Sequence, residues 1–198
     1  MPSARYTDLQ LDALRELANI GSGTAGTALS SLLGRSVDIS VPKADALDLA
    51  DAVDAAGPAE QLVWAVVVGV DGDLDATALL IIGEQDAGTI CGLLGVEPDT
   101  DTGRSALEEV GNILVASYVG ALGAMTGLEL DLCPPASACD MLAAVVASVL
   151  AASGDGRDMA IMLDSELRVD SDEVALSFML LPTPEGVDEL LHRIGVGG

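Results

Sequence analysis

Aromatic and positively charged residues are both scarce in this chain of 198 residues. Only 2% of the residues are aromatic, and 8 Lys and Arg stand against 32 Asp and Glu, giving a formal net charge of −24. A nucleic-acid binder needs clustered positive charge to recognise phosphates, so this balance excludes that class. Half of the residues are nevertheless hydrophobic, which is too many for a disordered acidic chain and predicts an aliphatic core.

Cysteine, histidine and long apolar runs are also scarce. Cys91, Cys133 and Cys139 form no C-x-x-C pair and His192 is the only histidine, so we expect reduced thiols and no structural zinc site. The longest apolar stretch, 141–152, is shorter than the roughly 18 residues that a membrane span needs. No basic region followed by an apolar run begins the chain, so no secretory signal is expected. These absences predict a soluble, cytoplasmic protein without membrane insertion.

Hydrophobic periodicity predicts alternating helices and strands. A helix is predicted over 8–33, either continuous or with a weak joint at Gly21 and Gly23, and is followed by a strand over 37–42 that ends at Pro42. The secondary structure of residues 45–56 is ambiguous from their pattern. The other predicted elements are strands over 61–70 and 77–82, a helix over 84–94, a long helix over 104–125, a strand over 128–132 ended by Pro134 and Pro135, an apolar helix over 140–152, strands over 159–163 and 174–181, and a helix over 187–194.

The two halves of the chain repeat each other. Shifted by 93 residues, segment 9–42 is identical to 102–135 at ten of 34 positions, more than composition alone predicts. We therefore predict one pseudo-two-fold-symmetric α/β domain over 1–198 that arose by internal duplication, with repeats at about 8–100 and 101–196. Its sheet is expected to be mixed or antiparallel, with the two long helices packed on one side.

A polar stripe recurs on both predicted long helices. Asp12, Glu16 and Asn19 are spaced so that a helix places them along one stripe, and 22 residues separate Asn19 from Pro42. Asn is a poor helix former, so its recurrence within two helices indicates that its amide has a function. From the residues alone, a structural role stays open, in which Glu and Asn hydrogen-bond across the pseudo-two-fold axis or to the proline turn. The second copy consists of Ser105, Glu109, Asn112 and Pro135.

This twice-repeated spacing resembles the motif of the CheC and CheX family of chemotaxis phosphatases, which includes the flagellar switch protein FliY. The strings LRELANIGSGTAGTALSSLLGRSVDISVP and SALEEVGNILVASYVGALGAMTGLELDLCPP look like CheC in particular. The resemblance implies hydrolysis of the aspartyl phosphate of the response regulator CheY. In that case, Asn19 and Asn112 hold the attacking water, and Glu16 and Glu109 pair with the regulator's active-site lysine.

The remaining motif residues are expected to support these four. By resemblance, Asp12 and Ser105 position the glutamates or contact the partner, although a solvated helix face explains them equally well. Pro42 and Pro135 are expected to fix the loop beneath each helix.

The resemblance also implies which cofactors are needed. An acyl phosphate is already activated, and Mg²⁺ held by the regulator's own carboxylates neutralises its oxygens. The phosphatase is therefore expected to need no metal or cofactor of its own, and to supply only an aligned water. An amide can both donate to and accept from that water without titrating.

The apolar stretch 141–152 has two interpretations. Its composition is typical of a core helix, whereas the resemblance to CheC implies a docking surface for the receptor deamidase CheD that begins at Asp140. A non-enzymatic alternative is a CheD- or CheY-binding module of adaptation or of the flagellar switch. FliM's middle domain has a similar architecture without the paired Glu and Asn.

The acidic surface predicts a dependence of stability on salt. Because like charges repel and the Debye length falls to about 3 Å at 1 M salt, we expect a halophilic protein. Thermal or urea melts should then show greater stability in concentrated than in dilute KCl. Equal stability in both would favour the alternative, an acidic composition that reflects only a high-GC genome.

Overall fold

The computed structural model describes residues 8–153 and 156–196, which form six helices and seven strands. The helices are α1 Asp8–Leu33, α2 Leu49–Ala56, α3 Glu84–Leu94, α4 Asp101–Thr126, α5 Leu142–Ser153 and α6 Pro184–Val196. The strands are β1 Val37–Asp48, β2 Leu62–Gly72, β3 Ala76–Gly83, β4 Leu130–Leu132, β5 Ala136–Met141, β6 Met159–Val169 and β7 Asp172–Pro182.

Both halves of the chain contribute strands to one sheet. Its order is β1-β6-β7-β3-β2-β4, with β5 also paired to β2, and every pair is antiparallel. The first half's β1 pairs with the second half's β6, while β4 and β5 pair with the first half's β2. The predicted fold class is confirmed, with an antiparallel sheet. The element order is the same in both halves except that β4 and β5 stand where the first half has the single strand β1. The duplication itself stays a prediction.

The prolines of the repeat interrupt the strand pattern in both halves, but only the second half's strand ends there. The prediction that the first strand ends at Pro42 was wrong, because β1 continues to Asp48 after a register shift between Ser40 and Lys43. Proline removes one ladder donor, but alternate residues beyond it, such as Ala44 and Ala46, are buried and continue the strand pattern. In the second half the same interruption separates β4 from β5.

The predicted apolar helix over 140–152 begins two residues later than expected. Asp140 belongs to β5, where its carboxylate accepts a hydrogen bond from the backbone N–H of Met141 at 2.7 Å, and α5 starts at Leu142. The sequence did not reveal β5, because Ala136–Met141 is mostly exposed and lacks a buried alternation.

The sheet is covered by helices on both faces. The long helices α1 and α4 pack on one face with α3 and α6, and α2 and α5 pack on the other. Alternate residues of β2 enter the two cores, Trp64 and Val66 the first and Val63 and Ala65 the second. This explains the almost continuous apolar runs of the central strands.

Helix α5 has one buried face and one exposed face. Val145 and Val149 are buried in the second core, whereas Ala143 and Ala147 on the outer face are exposed. Neither α5 nor any other helix of the described residues is long and apolar enough to cross a membrane.

Helices α1 and α4 meet at Gly21 and Tyr118. A Cβ atom on Gly21 would lie 2.4 Å from the ring of Tyr118, so glycine permits the close approach while α1 remains continuous. The Tyr118 hydroxyl hydrogen-bonds with Ser165 Oγ at 2.8 Å, and its ring centroid lies 5.0 Å from that of Phe178. One tyrosine therefore ties the helix pair to the sheet.

Glycine substitutions in α4 should separate close packing from helix propensity. A Cβ on Gly111 would lie 2.7 Å from Val66 Cβ on β2, whereas Gly120 has nothing within 4 Å of that position. We expect Gly111→Ala to lower the free energy of unfolding by about 1–3 kcal/mol through overpacking. Gly120→Ala, the matched control, should raise it by about 0.5–1 kcal/mol. Urea denaturation measures both, and equal effects would contradict the packing argument.

Candidate active site

The first polar stripe lies on the outward face of α1. Asp12, Glu16 and Asn19 are all exposed, because the residues between them turn toward the sheet. The buried residues of this helix segment are Leu14, Leu17 and Ala18. Amphipathic spacing therefore directs the carboxylate and the carboxamide toward a partner or solvent instead of the core.

The second stripe lies on α4 and is less exposed than the first. Ser105 and Glu109 are exposed, but Asn112 is only partly so. Gly111, which precedes Asn112, is buried against Val66 on β2. The backbone that carries the second Asn is therefore held close to the sheet.

Neither Asn19 nor Asn112 uses its carboxamide to hold the described part of the chain together. No side-chain hydrogen bond joins either amide to another described residue; the contact at Asn19 is to its backbone carbonyl, which accepts from the Ser22 hydroxyl at 3.0 Å. The described residues thus contain no hydrogen bond from these amides across the pseudo-two-fold axis or to the proline segments. Both amides are available to an external group.

The other four residues of the two motifs lie on different elements and have different neighbours. Asp12 forms an ion pair with Arg15 at 2.6 Å on the exposed surface of α1, not a contact with Glu16. Ser105 lies near the start of α4, where the Thr100 hydroxyl accepts from the Gly103 N–H as the N-cap. Pro42 lies within β1 at its register shift. Pro135 lies in the connection between β4 and β5.

Sequence reasoning missed one contact beside the second stripe. The Ser137 hydroxyl on β5 donates to Glu108 Oε1 at 2.5 Å, and both side chains are half-buried. These residues are 29 positions apart, and neither belongs to the repeated motif. Because β5 itself was not predicted, no sequence signal pointed to this contact.

The end of β5 near α4 is predominantly acidic. Partial burial raises the pKa of the Cys139 thiol, and the carboxylates of Glu84, Asp99 and Asp140 raise it further, while Arg104 acts in the opposite direction.

In the described part of the chain, no three His, Cys, Asp or Glu residues are grouped so that they could hold a metal ion.

The antiparallel sheet formed by both halves, with α1 and α4 packed on one face, matches a known fold. The crystal structure of FliY from Thermotoga maritima superposes with a TM-score of 0.77 at 17% identity, covering 98% of this chain and 100% of that one. This chain thus has the fold of the class that includes that FliY protein. In this chain, each long helix of the fold carries one Glu and Asn stripe.

Sequence comparisons define the family within that class. The CheC-like family model matches residues 9–44 and 103–138, which contain both motifs. The CheY-P phosphatase CheC of Bacillus subtilis (strain 168) is 32% identical over 196 residues, covering 94% of each protein. The putative CheY-P phosphatase CheC1 of Halobacterium salinarum (strain ATCC 29341 / DSM 671 / R1) is 25% identical over 195 residues, covering 93% of this chain and 96% of that protein. The chain belongs to the CheC family.

Proposed function

We propose that this chain is a phosphatase that hydrolyses the aspartyl phosphate of the response regulator CheY. The observation that carries the proposal is the pair of solvent-accessible carboxamides, Asn19 and Asn112, each three residues after an exposed glutamate. The relative named CheY-P phosphatase CheC, aligned over 94% of this chain, supports the same activity.

The proposed reaction is an in-line hydrolysis. The carboxamide of Asn19 or Asn112 holds a water molecule opposite the aspartyl oxygen of the phosphorylated regulator. The water oxygen bonds to phosphorus while the bond between phosphorus and the aspartyl oxygen breaks. The water proton passes to the released phosphate, and the regulator regains its carboxylate.

The phosphatase supplies orientation to this reaction rather than a nucleophile of its own. Holding the water near its position of attack removes entropy that the uncatalysed reaction must lose. Mg²⁺ bound by the regulator neutralises the phosphoryl oxygens. We therefore propose that the chain contributes no cofactor.

The surroundings of Asn19 suit contact with another protein. Glu16, one turn before it, is proposed to pair with the regulator's active-site lysine, as Glu109 is at the second site. Ile20, directly after Asn19, is 41% exposed, and such an apolar side chain beside a polar group is typical of a protein contact. Asp12 and Ser105, at the start of each stripe, are proposed to meet the rim of the partner.

The charge of the chain shapes its proposed setting. A net charge of −24 opposes long-range attraction to another acidic protein, and concentrated salt would screen that repulsion. The relative from Halobacterium salinarum is compatible with a halophilic, cytoplasmic setting. We propose that association with the regulator is faster in molar KCl than in dilute buffer.

Substitution of the two carboxamides tests the proposed function. CheY phosphorylated by acetyl phosphate should lose its phosphoryl group faster with wild-type protein, in high salt, than alone. We expect each of Asn19→Ala and Asn112→Ala to remove the turnover of its own site, and the double variant to lose about 10²–10³-fold in rate. Phosphate release measures the effect.

A matched control keeps the comparison specific. Ser31→Ala changes an exposed residue of α1 whose hydroxyl donates to Thr27 O of the same helix, and should leave the rate unchanged. A double carboxamide variant as active as wild type would refute the proposed roles. Wild-type protein that binds phosphorylated CheY without accelerating its decay would favour the non-enzymatic binding module.

We further propose that the outer face of α5 and the adjoining Asp140 bind the deamidase CheD. The exposed Ala143 and Ala147 would allow a partner to approach closely, and Asp140 lies exposed on β5 immediately before the helix. The family resemblance suggests the partner, and the exposed small-residue face supports it.

Charge reversal at Asp140 tests this surface. We expect Asp140→Lys to weaken CheD binding by at least about tenfold, the range of a well-placed interface residue. Asp51→Lys on the neighbouring α2, which is also exposed, should have little effect. Calorimetric titration measures both, and equal affinity of the two variants would exclude this docking surface.

A further inference from the structure

The second motif helix is bonded to a sheet-edge strand through side chains. The Ser137 hydroxyl of β5 donates to Glu108 Oε1 of α4 at 2.5 Å, and both side chains are half-buried. Hydrogen bonds to a carboxylate are stronger and more directional than those between neutral groups. Partial burial protects this bond from competition by water, so it can fix the position of one element relative to the other.

This bond lies next to the candidate catalytic groups of the second site. Glu108 directly precedes Glu109, and Asn112 follows Glu108 by four residues, which places the two on the same edge of the helix. Strand β5 must lie along this edge, since Ser137 reaches Glu108. The lower exposure of Asn112 compared with Asn19 agrees with a neighbouring strand on that side.

Among the described residues, no equivalent bond is present at the first site. Under the shift of 93 residues, Glu108 corresponds to Arg15 and Ser137 to Ala44. Arg15 pairs within its own helix, with Asp12 at 2.6 Å, and Ala44 is buried with no polar side-chain atom. The repeat therefore conserves the candidate catalytic groups of the two sites but differs in how each site is connected to the sheet.

We propose that Glu108 and Ser137 are positioning residues of the second phosphatase site, and that the first site works without such a link. This inference rests on the proposed function. The bond fixes α4 against β5 so that Asn112 is aligned before the regulator binds. An error of about 1 Å in the position of a group that orients a reactant can cost up to about 10²-fold in rate, so one bond beside the amide has a measurable effect.

Separate measurement of the two sites tests the inference. Asn19→Ala leaves only the second site, and Asn112→Ala leaves only the first. Into each background we would introduce Ser137→Ala, Ser137→Thr, Glu108→Ala and Glu108→Gln. Thr retains the hydroxyl donor and Gln retains an acceptor oxygen, so both serve as conservative rescue variants.

With only the second site active, we expect Ser137→Ala and Glu108→Ala to lower kcat about tenfold while KM changes less than twofold, since alignment rather than binding is lost. Thr and Gln should restore most of kcat. With only the first site active, all four substitutions should change kcat by less than twofold. Melting temperatures of every variant show whether the rates are measured on folded protein.

Several results would overturn the inference. Equal losses of kcat in the two backgrounds would indicate a general structural role, and so would a loss that Thr and Gln do not rescue. No loss with only the second site active, or no turnover at all in the Asn19→Ala parent, would exclude positioning of a working site. Failure of the proposed function looks different, because the Asn19→Ala, Asn112→Ala double variant would then be as active as wild type.

Discussion

The close packing of α1 and α4 on one face of a shared sheet is the constraint on which the candidate sites depend. Gly21 admits the ring of Tyr118, and Gly111 brings α4 against Val66. With those faces buried, each Glu and Asn stripe must point outward, because a helix has only one direction left for its polar residues. The outward direction of the Glu and Asn side chains therefore follows from where the backbone is anchored. In the described part of the chain, the two carboxamides form no internal hydrogen bond.

Much of this architecture could be predicted from the sequence where patterns are local. Helical spacing predicts the observed bounds of both α1, over 8–33, and α3, over 84–94. The failures lie at the prolines, where β1 continues and β5 begins. There, strand formation depends on partners distant in sequence, β6 and β2, whose ladders outweigh the local signal of a proline.

In the candidate site too, local features could be predicted from the sequence and long-range contacts could not. Asn19 and Asn112 stand out because each motif is short and recurs at a fixed shift, so spacing alone places them on one stripe with their glutamates. Glu108 and Ser137 could not be paired in advance, since their contact requires an unpredicted strand and falls at a position where the two halves differ. Repetition reveals what the halves share, whereas the differences between them appear only in three dimensions.

The exchange of edge strands between the halves has a consequence for how such a molecule can be assembled. Neither half contains the partner for its own outermost strand, since β1 bonds to β6, and β4 and β5 bond to β2. A half-length polypeptide could satisfy those ladders only by pairing with a second copy of itself. The same strand pairing is thus compatible with a symmetric dimer of single-motif chains. In one covalent chain, by contrast, the surroundings of the two motifs can differ, as they do at Glu108 and Arg15.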